Sequence, residues 1–151
     1  MQNTLSSPIG LLIVNHLDFL DTAARLITIE DPTEADIRTA ISRAYYALYH
    51  HVLSWWKSHA DFPDYRDRGH VKIQMALFNA GIPDAKRFSV DMKALNTDRR
   101  RADYELTLQF DLGSGRAILE RGRDNIAAFD ALDKNTLEAG IKSYLRRTHQ
   151  S

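Results

Sequence analysis

Apolar residues recur every three or four positions through most of this 151-residue chain, which is the spacing of an amphipathic helix that buries one face. The apolar–polar alternation that marks β-strands is missing. The pattern therefore predicts an all-α protein, a bundle of about five to six helices that run up and down. The predicted helices cover residues 11–27, 34–57, 70–80, 90–110, 116–131 and 136–147.

Capping and turn residues set the predicted ends of these helices. Thr33 follows an Asp-Pro break and is a favourable N-cap for the helix that runs to about residue 57. Residues 60–69 contain proline, glycine and several charges, so we predict a loop there. Residues 81–83 (Gly-Ile-Pro) should end a helix, and residues 113–115 (Gly-Ser-Gly) should form a turn between two helices. Without a long linker or a repeat, the chain is predicted to be one domain, residues 1–151.

Composition narrows the class of protein. Hydrophobic residues make up 44% and charged residues 26% of the chain, as in ordinary globular domains. The absence of cysteine excludes disulfide frameworks and thiolate metal sites. The first 20 residues lack the pattern of a signal peptide, and no apolar run approaches the length of a membrane span, so we expect a cytoplasmic protein without a membrane partner.

The charge balance gives a weaker indication. Twenty basic and 20 acidic residues cancel, so no overall field attracts nucleic acid. Of the basic residues 14 are arginine and six are lysine. Arginine suits forked contacts to phosphate, but an arginine excess is equally consistent with ion pairs on helix surfaces.

The helix predicted over residues 34–57 has two different faces. One face is the predicted core. The other carries Arg43 and His50, which are seven positions apart, about 20° short of two full turns and about 10 Å along the axis. Only the small Ala47 and the flanking Tyr46 lie between them, so this face is either the solvated side of the helix or a contact surface. The predicted core stripe consists of Ile37, Ile41, Leu48, Val52 and Trp55, with Tyr45 and Trp56 at its edge.

Residues 40–50 (AISRAYYALYH) closely resemble the signature of HEPN domains, in which four to six residues separate an arginine from a histidine. The Ser-Arg-Ala-Tyr-Tyr-Ala part looks like the branch that is often encoded beside minimal nucleotidyltransferases. Residues 101–104 (Arg-Ala-Asp-Tyr) are similar to an element on a later helix of that branch. The resemblance covers most of residues 10–147. One departure is Ala44, because many HEPN nucleases carry a polar residue directly after the arginine.

The resemblance implies an HEPN-like bundle that forms a homodimer through the helix of Arg43 and His50. In many members it implies a metal-independent endoribonuclease, here as part of a toxin–antitoxin or defence system. Other members show no activity, and bind a nucleotide or act as the partner of a nucleotidyltransferase protein. The expected ligand is therefore RNA or a nucleotide, and no cofactor is implied. A helical dimer with a purely structural role is the third alternative.

Elementary chemistry is compatible with the nuclease alternative. RNA is cut when its own 2′-hydroxyl attacks the adjacent phosphate, which requires a base, an acid and positive charge at the phosphorane. A histidine transfers protons near neutral pH, and an arginine holds phosphate oxygens with a forked donor. Because one chain supplies one histidine on this face, a two-fold axis that brings Arg43 and His50 next to their copies would complete the site.

A second group of charged residues lies on the helix predicted over residues 90–110. Arg99 falls within its apolar stripe, and Asp103 follows one turn later at the edge. This spacing predicts either an internal ion pair or, together with Tyr46, supporting residues of the Arg43 and His50 site. The apolar stripe consists of Phe88, Met92, Leu95, Ala102, Leu106 and Phe110.

Three further residues are candidates for RNA binding. Arg100 and Arg101 point away from the apolar stripe, where they are either solvated charges or sequence-independent phosphate contacts. Trp56 is predicted to be open enough to stack on a base. The histidines give no metal-ligand spacing, since neither Glu-x-x-His nor His-x-x-x-His occurs, so no metal site is predicted.

Overall fold

The computed structural model describes residues 14–149, and this part of the chain is all-α, as predicted. Between residues 14 and 149 there are six helices and no strands, and the helices form a bundle. Their bounds are α1 Asp18–Thr28, α2 Glu34–Lys57, α3 Gly69–Phe78, α4 Pro83–Tyr104, α5 Leu112–Asp130 and α6 Lys134–His149.

Helix α2 is the central element, and α1, α4 and α5 pack against it. Its N-cap is Thr33, as predicted, and Thr33 and Asp36 form a capping box. The Asp36 amide donates to Thr33 Oγ1 at 3.1 Å, and the Thr33 amide donates to Asp36 Oδ2 at 2.8 Å. Three neighbouring helices leave only a narrow strip of α2 at the surface. The side chains it buries in the main core include Ile37, Ile41, Tyr45, Leu48, Val52 and Trp56.

The assignment of the two adjacent tryptophans was wrong. Trp56, expected at the edge of the core, is 2% exposed, and its indole nitrogen donates to the Pro63 carbonyl at 2.8 Å. Trp55, expected in the core, is only partly buried against it. The loop after α2 folds back over Trp56 through Phe62 and Tyr65, which the periodicity of α2 alone does not show. Ala47, expected on the open face, is likewise fully buried.

Helix α4 begins and ends earlier than predicted. Pro83 occupies the first turn of α4 instead of marking a break before it, because proline lacks an amide hydrogen that this turn would leave unpaired. The helix ends at Tyr104, where the Arg38 guanidinium of α2 donates to the Ala102 carbonyl at 2.8 Å and also to the Glu105 and Leu108 carbonyls. Leu106, expected in the buried stripe, is therefore 78% exposed.

Two other boundaries also needed correction. Residues 113–115, expected to form a turn, lie within α5, because Asp111 acts as the N-cap and accepts from the Ser114 amide at 2.7 Å. Helix α1 begins at Asp18, after a turn at residues 16–17; the part of the first predicted helix at residues 11–13 lies outside the described residues. No helix of the described part has the length and apolarity needed to cross a membrane.

Candidate functional site

Arg43 and His50 lie together on the narrow strip of α2 that reaches the surface, and two aromatic rings contact both of them. The Arg43 guanidinium carbon is 4.9 Å from the Tyr46 ring centroid and 5.3 Å from that of Phe19, on α1. The His50 ring lies 6.1 Å from Tyr46 and 5.9 Å from Phe19. Arg43, Tyr46 and His50 are each only partly exposed. We call Arg43, Tyr46, His50 and Phe19 the Arg–His cluster.

Two consecutive hydrogen bonds connect Arg43 to α4. Arg43 Nη2 donates to Ser42 Oγ at 3.4 Å, and Ser42 Oγ donates to Asp103 Oδ2 at 3.3 Å. The same carboxylate oxygen lies 3.6 Å from Arg99 Nη1. The predicted ion pair between Arg99 and Asp103 is thus formed, and Ser42 extends it to Arg43. Asp103 therefore pairs directly with the Arg99 guanidinium and reaches that of Arg43 only through Ser42 Oγ.

Arg99 lies beneath the Arg–His cluster and is buried, with 8% of its surface exposed. Its guanidinium carbon lies 5.3 Å from the Tyr45 ring and 5.4 Å from the Tyr46 ring. Arg99 Nη2 and Nε donate to Asn96 Oδ1 at 2.6 and 3.2 Å. The carboxylate, the amide oxygen and the two ring faces compensate the buried charge. Little of the Arg99 side chain reaches the surface, and its guanidinium contacts Tyr46 and Asp103.

The surroundings of His50 favour its neutral form. Burial lowers the pKa of His50 below its usual value of 6.5, and the positive charges of Lys57 and Arg43 lower it further. The rings of Tyr46 and Tyr49 also face the imidazole. At pH 7 the imidazole is therefore neutral, so it can accept a proton.

His70, the second residue of α3, contacts two tyrosines of α2 beside the Arg–His cluster, and the sequence did not indicate this position. Its ring stacks on Tyr49 at 3.8 Å between centroids, and its Nδ1 lies 2.6 Å from Tyr45 Oη. A Cβ atom at Gly69 would lie 2.8 Å from Tyr49 Oη, so the absence of a side chain there allows α3 to come this close. Nothing in the spacing of His70 could have indicated these contacts, because they join residues of different helices.

The environment of His70 predicts a pH-dependent stability. Burial lowers the pKa of His70 to about 4, with contributions from the charges of Arg99 and His50. The unfolded chain, with a histidine pKa near ~6.5, then binds more protons than the folded chain between about pH 6.5 and 4. The stability from keeping His70 neutral is complete above pH 6.5 and is lost as the pH falls through this window. Because the ring is partly exposed, we expect a loss of about 1–2 kcal/mol.

Urea unfolding at pH 7.5 and at pH 4.5 measures this loss. A His70→Phe variant keeps the stacking on Tyr49 but cannot titrate, so its free energy of unfolding should fall less between the two pH values than that of the wild type. His149→Phe, near the end of α6, is the control and should behave as wild type. An equal fall for wild type and His70→Phe would contradict the prediction.

The three predicted RNA contacts have different outcomes. Arg100 is exposed and lines a groove of about 580 Å³ between α3 and α4, together with Tyr45 and His70. Arg101 is also exposed, and within residues 14–149 its side chain makes no hydrogen bond or ion pair with the Arg–His cluster. The prediction that Trp56 stacks on a base was wrong, because its burial and its hydrogen bond to the Pro63 carbonyl leave no face of the indole for a base.

Within residues 14–149, no three histidine or carboxylate side chains are grouped closely enough to hold a metal ion. Comparisons of the chain with protein-family models, with curated proteins and with solved structures gave no match. The resemblance to HEPN domains therefore rests on residues 40–50 and 101–104.

Proposed function

We propose that this protein is an HEPN-type RNA-acting protein whose Arg–His cluster cleaves RNA without a metal ion, as part of a toxin–antitoxin or defence system. The observation that carries the proposal is the pairing of a neutral, partly buried imidazole with a permanently charged guanidinium on one surface strip. The rings of Tyr46 and Phe19 contact both groups.

The chemical roles follow from the properties of the two groups. His50, neutral at pH 7, takes the proton of a ribose 2′-hydroxyl as that oxygen attacks the adjacent phosphorus. Arg43 donates two parallel N–H bonds to the phosphate oxygens and stabilises the charge of the phosphorane. Asp103, through Ser42, orients Arg43. The products would be a 2′,3′-cyclic phosphate and a 5′-hydroxyl.

The proposal includes a homodimer formed through α2. The surface strip that contains Arg43 and His50 is narrow and partly apolar, with Tyr46 and Leu53 only partly buried. A two-fold axis on this strip would place two Arg–His clusters side by side. A single RNA strand could then contact both clusters, which would raise affinity without new contacts within one subunit.

Cleavage of RNA in the presence of a chelator tests the proposed function. Purified protein with excess EDTA should cut mixed RNA and leave cyclic phosphate ends. His50→Gln, which lacks a group that titrates, should cut about 100-fold more slowly. His59→Gln, a change of a partly buried histidine just beyond α2, should cut as wild type. If wild-type protein leaves diverse RNAs intact, the proposed function is wrong.

One observation favours a second candidate, a nucleotide-binding module without cleavage. The α3–α4 groove has exposed apolar side chains at Met75 and Val90, and Lys93 and Arg100 lie on its lining. An apolar wall beside two cations suits a base and its phosphate. Saturable binding of a nucleoside monophosphate that Arg100→Ala weakens, together with intact RNA, would support this candidate and also a role beside a nucleotidyltransferase partner.

A further inference from the structure

A surface groove beside His50 contains a second histidine of the same subunit. The groove has a volume of about 300 Å³ and lies between the start of α1 and the C-terminal half of α2. His16, Phe19, His50 and Lys57 are among the residues that line it. Its volume is at the lower end of the range for ligand sites, and Lys57 adds a positive charge that suits a phosphodiester.

His16 is the outermost member of a hydrogen-bonded series that ends on a carboxylate. His16 Nε2 lies 2.9 Å from His51 Nδ1, and His51 Nε2 lies 2.6 Å from Asp130 Oδ1, on α5. In the neutral series, His51 donates to Asp130 and accepts from His16. When a proton is added, the carboxylate compensates the new charge through His51, which fixes the ring and its tautomer.

We propose that His16 is the second proton-transfer group of the cleavage site, held in place by the positioning residues His51 and Asp130. The inference rests on the proposed RNA-cleaving function and deepens it. It assigns the general acid to the same subunit as Arg43 and His50. A dimer would then supply affinity, but each subunit would hold a complete set of base, acid and phosphate clamp.

The neighbouring charges divide the roles between the two histidines. His50 is opposed by Lys57 and Arg43, both cations, which favours its neutral form and hence the role of base. The pKa of His16 is lowered by its burial and by His51 and His50, but Asp130 and Asp18 act in the opposite direction. The pKa of His16, like that of His50, stays below 6.5, so the acid is the minor protonated form of His16. His16 takes this role because of its position, since it is the imidazole that is joined through His51 to the Asp130 carboxylate.

The step balances in protons and bonds. His50 accepts the 2′-hydroxyl proton while the 2′-oxygen forms a bond to phosphorus. The bond between phosphorus and the 5′-oxygen breaks, and the leaving oxygen takes the proton of the His16 imidazolium. That proton comes from Nδ1 of His16, the ring nitrogen that is not engaged with His51. His16 ends neutral and His50 ends protonated, and exchange with water restores both.

A purely structural role would explain only part of the arrangement. The contact between His51 and Asp130 joins α2 to α5, and it would do so without His16. The Asp130 side chain is 58% exposed, so its hydrogen bond to His51 adds little stability. His16, in turn, faces a groove that also contains His50 and Lys57. A proton-transfer role accounts for both contacts of the series and for its position in the groove.

An RNA with a sulfur leaving group distinguishes loss of the general acid from loss of the general base. After the wild-type cleavage site in one RNA is mapped, the same oligomer is made with sulfur in place of the 5′-oxygen at that bond. A thiolate leaves without protonation because a thiol is far more acidic than an alcohol. His16→Ala should therefore cut the ordinary RNA about 100-fold more slowly, but the sulfur-containing RNA nearly as fast as wild type. His50→Gln should be slow on both.

Asp130→Asn tests the positioning residues. Removing the carboxylate should lower the pKa of His16, so the high-pH limb of the rate profile should move to lower pH while the fold, measured by circular dichroism, stays intact. His59→Gln is again the control and should match wild type on both RNAs.

Equal rates for His16→Ala and wild type, with His50→Gln inactive, would overturn this inference alone. An equal slowing of His16→Ala on both RNAs would also overturn it. Inactive wild-type protein would overturn the proposed function itself.

Discussion

Substitution of Arg43 by lysine is expected to lower the rate of RNA cleavage by about 100- to 1000-fold, although the positive charge is kept. The Arg43 guanidinium lies over the rings of Phe19 and Tyr46 and donates to Ser42 Oγ. These contacts fix the plane of its forked donors. An ammonium group at the end of a flexible stem cannot stack in the same way and offers no pair of parallel donors, so the phosphorane would lose its most strongly oriented charge.

Single-turnover cleavage at saturating RNA measures this effect, and fluorescence anisotropy measures binding separately. We expect Arg43→Lys to bind RNA within a few-fold of wild type, because general phosphate contact depends on charge more than on geometry. Arg25→Lys, on the exposed side of α1, keeps the chemistry of the substitution but lies away from the cluster, and should cleave normally. If Arg43→Lys cleaves as fast as wild type, the forked contact is not part of the mechanism.

The fold and the central pair of the site could be predicted because both depend on local periodicity. The position of one residue relative to another seven positions along a helix is set by helix geometry alone. The all-α class, the extent of α2 and the common surface of Arg43 and His50 follow from that rule. The partnership of Arg99 with Asp103, one turn apart on α4, is of the same local kind.

What the sequence did not show depends on contacts between distant segments. Arg38 crosses to the end of α4 and donates hydrogen bonds to carbonyl oxygens that a longer α4 would have paired internally, so α4 stops at Tyr104. Trp55 and Trp56 are neighbours with similar hydrophobicity, and only the loop at Pro63 decides which of them is enclosed. Periodicity within a helix carries no information about either event.

The same limit applies to the histidines of the candidate site. The exposed face of α2 carries His50 alone, so periodicity predicts a second histidine only across a two-fold axis. The structure offers another source, since His16 reaches the groove from the segment before α1 and His51 reaches Asp130 on α5. His51 lies next to His50 in the sequence, yet its partners place it behind the groove. The tertiary contacts, not the spacing, give each histidine its chemical environment.

The contact between α6 and the turn that follows α3 predicts the largest effect on stability. A Cβ atom at Gly140 would lie 2.2 Å from the Ala80 carbonyl oxygen and 3.2 Å from Ala80 Cβ. Backbone cannot yield as the end of a flexible side chain can, so α6 would have to move away from this turn. We expect Gly140→Ala to lower the free energy of unfolding by about 3 kcal/mol, even though alanine favours helix by up to about 1 kcal/mol.

Urea unfolding of Gly140→Ala beside Gly113→Ala measures this effect against a matched control. Gly113 also lies in a helix, in the first turn of α5, but a Cβ atom there would meet only a carboxylate oxygen of Asp111 at 3.5 Å. The same chemical change should therefore be neutral or stabilising at position 113 and destabilising at position 140. Equal stabilities for the two variants would mean that α6 does not pack against Ala80.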